Sequence, residues 1–340
     1  MKRLVTAAAA VALTVGIAGA AQAGGTFDAV KARGQLVCGV HTGLAGFSAP
    51  DDKGVWAGID VDICRAVAVS MFGDAQKVKF VPLTTSNRFT ALQSGEIDML
   101  ARNTTVTLTR DTTNGMNFAP VNFYDGQGFI VAKKLNVKSA KELKGATVCV
   151  QSGTTTEQNL ADYFRSNKMD FKPVTFEKQD EAVAAFTGGR CDVYTSDKSQ
   201  LGAIRASQVK VPEDYVILPE TISKEPFAAA VRHGDDQWFD LVKWSVYAMI
   251  EAEESGVTSK NVDEMVKSTD PNLQRLLGVN GGMGKALGVD DKFAYNIIKQ
   301  VGNYGESFDR NLGAGSKVKL ERGLNNLWKN GGLQYAIPFR

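Results

Sequence analysis

Apolar positions along this chain repeat with two periods, and the periods alternate. Runs at 36–40, 77–83 and 97–100 predict strands. Between the first two, Ile63, Ala66, Val67 and Met71 fall at helical spacing, predicting a helix that starts at 58–62 behind an acidic cap and stops at Gly73. Ser86 is placed to cap another helical element, with Phe89 and Leu92 on one face and an end at Gly95. The alternation then starts again. An extended apolar run at 126–132 precedes a short capped helix at 139–143 and a strand at 146–150. A helix opens at 151–155 and continues through Leu160 and Phe164; strand 174–176, helix 180–186 and strand 191–194 follow. Strands alternating with helices predict α/β architecture with parallel pairing. A further extended run, 227–231, is predicted to return beside 129–132, so that two crossing strands hinge two lobes. Helix 238–254 carries Phe239, Val242, Val246, Met249 and Ile250 on its apolar stripe and ends at Gly256. Beyond it the pattern predicts short helices, one opened by Asp270-Pro271 and others at 292–302 and 320–328, packed on the first lobe without chemistry of their own.

Two stretches share one pattern. Ala91-Leu92-Gln93-Ser94-Gly95-Glu96-Ile97-Asp98 continues to Asn103, and Ala185-Phe186-Thr187-Gly188-Gly189-Arg190-Cys191-Asp192 continues to Asp197. Each reads as a helix end, a left-handed glycine stop and a strand with a polar residue at its far end. After Asn103 come threonines 104, 105, 107 and 109 and then Arg110, polar groups gathered where strand ends border a crevice in open α/β sheets. Two such units facing each other would set Arg110 and Asp197 on opposite walls of one cleft. A cation and an anion so placed match a zwitterion such as a free α-amino acid. The helix start at 151–155 suits an anion, although ordinary capping by Ser or Thr explains the same residues.

Composition narrows the partners. Met1-Lys2-Arg3, the apolar run 4–20 and Ala21-Gln22-Ala23 form a secretory signal, predicting a mature start at Gly24, export to an oxidising compartment and no lipid anchor. Removing Lys2 and Arg3 lowers the basic count from 39 to 37, equal to the 37 acidic residues. That balance gives no basis for binding nucleic acid or an anionic membrane. The remaining 317 or so residues suffice for two cores, and no later apolar run is long enough to span a bilayer. Four cysteines in an exported chain predict two disulfides, which the repeat pairs as Cys38–Cys64 and Cys149–Cys191; four buried thiols are the alternative.

Enzymatic and metal signatures are sparse. The sequence has two histidines, His41 and His233, and lacks GxSxG, HExxH and Cys-x-x-Cys. Residues 278–285 miss the phosphate-loop spacing, and Ala286 stands where a metal-binding hydroxyl belongs. Cys38 and His41 are a pair of metal-ligand types without partners, so no metal and no cofactor is expected. Asn103-Thr104-Thr105 is a glycosylation pattern, poorly suited to a cleft.

Several segments resemble the periplasmic amino-acid-binding proteins of ATP-driven importers, extracellular solute-binding family 3, and most nearly its general L-amino-acid-binding subgroup. They are 58–67, 87–95, 102–105, 108–111, 124–128 and 150–155, with 331–340 at the C-terminus. The resemblance spans essentially the whole mature chain. It implies a two-lobed, type II "flytrap" with two crossover hinge strands and a helical C-terminal extension. The corresponding division is a signal peptide at 1–23, lobe 1 from 24–130 and 226–257, lobe 2 from 131–225, and an extension at 258–340 on lobe 1. Carried over by position, Arg110 would take the α-carboxylate, helped by Thr105 and the N–H of Thr155. Asp197 would take the α-ammonium beside Asn103, and His41, Leu44, Phe47 and Arg88 would line the side-chain pocket. Leu44 stands where relatives often have an aromatic residue, and no acid lies near His41; both argue against a strict lysine or arginine binder. Arg88 would suit acidic or polar side chains, unless it is merely a solvated helix-start residue. Asp98 and Asp192 fit braces better than ligand contacts. The implied protein is a monomeric periplasmic component, not an enzyme and not membrane-inserted, that delivers a free L-amino acid to a membrane permease. Two rivals share the scaffold. One is an exported enzyme, such as a cyclohexadienyl-type dehydratase, with His41 its only evident proton-transfer group. The other is a ligand sensor for a membrane receptor.

Overall fold

The computed structural model describes residues 25–340; the expected signal peptide and cleavage point lie outside them. Two five-stranded sheets organise the chain, and they follow one plan. In the first, Leu36–His41 pairs in parallel with Val78–Leu83 on one side and Met99–Leu100 on the other. In the second, Thr147–Gln151 pairs in parallel with Lys172–Phe176 and Val193–Asp197. Each sheet is extended by an antiparallel strand from the other side of a crossover: Ala230–Arg232 in the first, Gln127–Ala132 in the second. The edges are completed by Met116–Phe118 and Tyr215–Ile217. Two lobes of α/β type result.

The crossover differs from the expectation. Residues 129–132 do not run beside 227–231, because Gln127–Ala132 is bonded on both sides within the second sheet. The strands that meet between lobes lie just before these runs: Phe123–Asp125 pairs antiparallel with Glu225–Phe227. A wholly apolar strand must be flanked on both sides to satisfy its backbone, and only the sheet supplies two neighbours. Residues 127–130 of this strand fall in the span expected for lobe 1 and 131–132 in that expected for lobe 2, yet the whole strand pairs within the second sheet.

The repeated units are equivalent in detail. Gly95 and Gly189 both have φ of +80°. Asp98 accepts the N–H of Val37 at 2.7 Å and donates its own N–H to the Val37 carbonyl. Asp192 does the same with Thr147, its carboxylate accepting at 2.8 Å. These acids brace the start of each central strand, and neither lines the cavity between the lobes.

Some elements depart from the pattern. The helix Ile59–Phe72 is capped by Gly58, with φ of 136° and no side-chain bond, rather than by an acid. A Cβ at Gly58 would sit 2.0 Å from the Phe47 carbonyl oxygen, so close approach of the preceding loop requires glycine there. Asn87, not Ser86, precedes the helix Arg88–Gln93. Helices Gly25–Arg33, Lys198–Ser207 and Tyr304–Asn311 were not anticipated, although Asn303 and Glu306 form a capping box. The expected helix at 320–328 is replaced by single 3₁₀ turns at Gly323–Asn325 and Trp328–Asn330, with Gly323 inside that span at positive φ.

The C-terminal segment packs chiefly against the helices Ile59–Phe72 and Asp236–Glu254 of the first lobe. Asp62 anchors it, accepting from Ser307, Arg310 and Asn311, each at 2.6 Å. Leu320 also reaches Gly202, on the second lobe's helix Lys198–Ser207. Among the described residues, no helix is long and apolar enough to cross a membrane.

Cys38 is bonded to Cys64 and Cys149 to Cys191, closing sequence separations of 26 and 42. Constraining the unfolded chain over such loops is worth about 3–4 kcal/mol each on the chain-entropy account. The denatured, unreduced protein is expected to take up no alkylating reagent, and Cys149→Ser/Cys191→Ser to lose stability of that order in a denaturant titration. Four alkylated thiols in the mass spectrum would contradict the pairing.

Candidate functional site

The C-terminal ends of the two central sheets face each other. Asn103 leaves its strand with φ of 32°, a left-handed turn that asparagine tolerates better than most residues. Its N–H is held by the Asp60 carboxylate at 2.8 Å, and its amide reaches Gln200 of the other lobe at 3.4 Å. Thr107 then caps the helix Leu108–Thr112, its hydroxyl accepting from the Arg110 N–H. This turns the Arg110 side chain back toward the sheet end. One guanidinium N–H bonds the Thr105 carbonyl at 2.7 Å, and the group lies over the Phe89 ring at 5.2 Å.

From the second lobe, Asp197 ends its strand as the residue before the helix Lys198–Ser207, and its side chain makes no capping bond. Its buried Oδ1 has no hydrogen-bond partner. Thr154 caps the helix Thr155–Ser166 by accepting from the Glu157 N–H at 3.1 Å. Ordinary capping and a cleft-facing helix start therefore coexist, since first-turn N–H groups lack intrahelical acceptors.

These residues line one small cavity of about 20 Å³ between the lobes. Its lining is almost wholly polar and is drawn from both sheets. His41, Arg88, Asn103, Thr105, Arg110, Thr155 and Asp197 of the expected set all line it. Leu44 and Phe47 do not. Both are fully buried in the first lobe's core, with Phe47 edge-on to Phe123 and Phe227. The loop 42–47 folds inward because its apolar side chains gain more in the core than at a polar cavity wall.

Arg88 is not a solvated residue: it is 3 % exposed, stacks on Phe89 at 4.6 Å, and its Nε has no partner. No pattern in the sequence marks a role for Arg102, Gln151, Gln200 or Glu225. Arg102 lines the cavity, with its Nε on the Leu83 carbonyl at 2.8 Å. Glu225, 1 % exposed, accepts from Thr105 and Thr155 on opposite sides of the cleft at 2.7 and 2.8 Å. A lone acid opening an apolar extended run was the only trace of it in the sequence.

Burial dominates the electrostatics. It lowers the Arg88 and Arg110 guanidiniums from their usual range and brings Arg102 to about 10. It raises the Asp197 carboxyl well above the ordinary range, and the nearby Asp125 and Glu225 charges push the same way. Asp60 is pushed up to about 7 by burial, against the Asn103 N–H bond and the Arg102 charge. His41 is held well below its ordinary value by burial and then by Arg102 and Arg88. Its Nδ1 accepts from the Gly43 N–H at 3.1 Å, leaving the proton on Nε2. A ring of cations, a neutral imidazole donor and an unpaired carboxylate suit a small guest carrying both charges.

Known proteins share this arrangement's sequence and shape. Residues 36–261 match the family described as bacterial extracellular solute-binding proteins, family 3. The chain is 56 % identical, over the full length of both, to the general L-amino acid-binding periplasmic protein AapJ of Rhizobium johnstonii. It is 54 % identical to the glutamate/glutamine/aspartate/asparagine-binding protein BztA of Rhodobacter capsulatus, covering 97 % of each. A solved periplasmic binding protein of an ABC transporter from Brucella ovis, with glutathione bound, is 56 % identical with a TM-score of 0.91, covering 93 % of this chain and 99 % of that one. By sequence and by fold, the chain belongs to the family 3 bacterial extracellular solute-binding proteins.

Proposed function

We propose that this protein captures a free L-α-amino acid between its lobes and hands it to the membrane permease of an ATP-driven importer. One observation carries the reading: Arg110 of one lobe and Asp197 of the other line the same cavity. The guanidinium offers its remaining N–H groups to an α-carboxylate, with Thr105 and the helix start at Thr155 beside it. Asp197 and Asn103 take the α-ammonium. A ligand that touches both lobes binds the closed form better than the open one and so shifts the population toward closure. Micromolar affinity, roughly −8 kcal/mol, serves uptake.

Side-chain preference follows from the far wall. Arg88, Arg102 and the Nε2–H of His41 favour acidic or amide side chains and oppose basic ones. The names of AapJ and BztA, a general binder and a binder of glutamate, glutamine, aspartate and asparagine, agree with that preference. The γ-glutamyl end of glutathione carries the same two α-charges and belongs in the same panel. The leader residues, the match to periplasmic relatives and the paired cysteines support a periplasmic protein, and one chain supplies both walls of the cleft, as a monomer requires. An exported enzyme on this scaffold would rest on His41, whose Nδ1 is already engaged; product formation from candidate substrates would favour that rival. A receptor-coupled sensor shares the binding step and differs in its recipient.

A thermal-shift panel of the twenty amino acids and glutathione is expected to give its largest shifts with glutamate, aspartate and their amides, and none with lysine or arginine. Arg110→Ala should cost about 3 kcal/mol or more of binding, because Asp197 and the ligand carboxylate are left unbalanced. Wild-type affinity of that variant by calorimetric titration would refute the site. The His41 reading predicts a pH effect on folding. Below about 6.5 the unfolded chain takes up a proton that the folded imidazole refuses, so stability falls as the pH falls. The limiting slope is about 1.4 kcal/mol per pH unit; above that pH the group contributes nothing. Asp60 acts oppositely, since its folded form holds a proton from 3.8 up to about 7 and loses that advantage as the pH rises. His41→Asn keeps an acceptor for Gly43 and leaves Asp60 in place. Its stability should decline less steeply in acid than the wild type's, and superposed curves would remove the claim.

A further inference from the structure

Glu225 sits on the hinge strand, outside the set that grips a guest in the reading above. Four groups surround its two carboxylate oxygens. Oε2 accepts from the Thr105 hydroxyl at 2.7 Å and the Thr155 hydroxyl at 2.8 Å; Oε1 accepts from Asn159 Nδ2 at 2.7 Å and the Ser223 hydroxyl at 2.6 Å. Four donors converge on the two oxygens, so the group acts as an acceptor on both. Each threonine hydroxyl has one proton, and both protons are committed to Glu225. The two oxygens, 3.5 Å apart, line the cleft with lone pairs only.

We propose that Glu225 is a positioning residue that turns the Thr105 and Thr155 hydroxyls into acceptors for the ligand's α-ammonium, supplementing Asp197. The proposal rests on an amino acid occupying the cleft. It changes what Thr105 does: with its hydroxyl proton taken, only its backbone can donate to the α-carboxylate. It also distinguishes an ammonium, which has three protons to give, from a group with none. Without an acceptor at position 225, both hydroxyls would turn freely, and fixing their lone pairs toward the ammonium would then cost that freedom.

The test is a mutant cycle read by calorimetric titration with L-glutamate and L-glutamine. Glu225→Leu removes the acceptor and is expected to weaken binding on the order of 10- to 100-fold, the loss of hydrogen bonds to a charged group. Glu225→Gln should stay within about threefold, because Asn159 can turn its amide to meet the new N–H₂ while the glutamine carbonyl keeps both hydroxyl protons. On a Thr105→Val/Thr155→Val background there are no hydroxyls to orient, so Glu225→Leu should cost less than about threefold. Equal losses on both backgrounds, or no loss in the wild type, would overturn the proposal and leave the amino-acid reading standing. A wild type that binds none of the amino acids overturns both. Should Glu225→Leu fail to fold, the valine pair against Thr105→Ser/Thr155→Ser decides: the serine pair keeps affinity and the valine pair loses it, and equal affinities refute the idea.

Discussion

Three guanidinium groups and one carboxylate are held out of water around a cavity of about 20 Å³, and the rest of the molecule is arranged to sustain that. Isolated buried charges are costly, and each must be balanced by partners. Arg110 and Arg102 donate to backbone carbonyls of Thr105 and Leu83, while Arg88 and Arg110 share the face of Phe89. Asp197 keeps an unpartnered oxygen, and Arg88 an unpartnered Nε. A site so under-satisfied gains most when a dipolar molecule supplies the missing counter-charges. The same deficit that costs folding free energy becomes selectivity for the guest.

These groups stand on separate lobes, so on the proposed reading a ligand that bridges them draws the lobes together. Thr105, Thr155 and Glu225 join the lobes at the base of the cleft, while Ser86 and Glu177 meet at 2.5 Å elsewhere between them. These contacts are polar, and an apolar one is added where the second lobe's Gly202 and Ala203 meet the core that Leu320 packs against. Between the two sheets the chain crosses at the paired strands Phe123–Asp125 and Glu225–Phe227. Asn325 is fixed to one of them, accepting the Tyr124 N–H at 2.7 Å and donating to the Tyr124 carbonyl at 3.0 Å. The C-terminal segment is thereby tied to the hinge as well as to the first lobe.

The duplicated plan explains why so few residues are needed to aim the site. Asp98 and Asp192 lock the starts of the two central strands in the same way, and Gly95 and Gly189 set the same turn. Strand ends are then carried to matching positions, Asn103 in one lobe and Asp197 in the other. The two ends diverge, amide against carboxylate: Asp197 makes its wall acidic, while Arg88, Arg102 and Arg110 make the opposite wall basic.

What was legible in the sequence is what depends on neighbours along the chain. Period, glycine stops and the duplicated unit placed most strands and helices, paired the cysteines and singled out Arg110 and Asp197 as opposed charges. The helix Lys198–Ser207 escaped because its pattern follows directly on a strand without a breaker. The crossover pairing, the inward fold of Leu44 and Phe47, and the roles of Arg102 and Glu225 were decided only in three dimensions. A strand's second partner, the side on which an apolar loop residue finds its core, and the donors that gather around a buried carboxylate all come from segments distant in sequence. Thr105 and Glu225 are 120 residues apart, and no local pattern records that they share a proton.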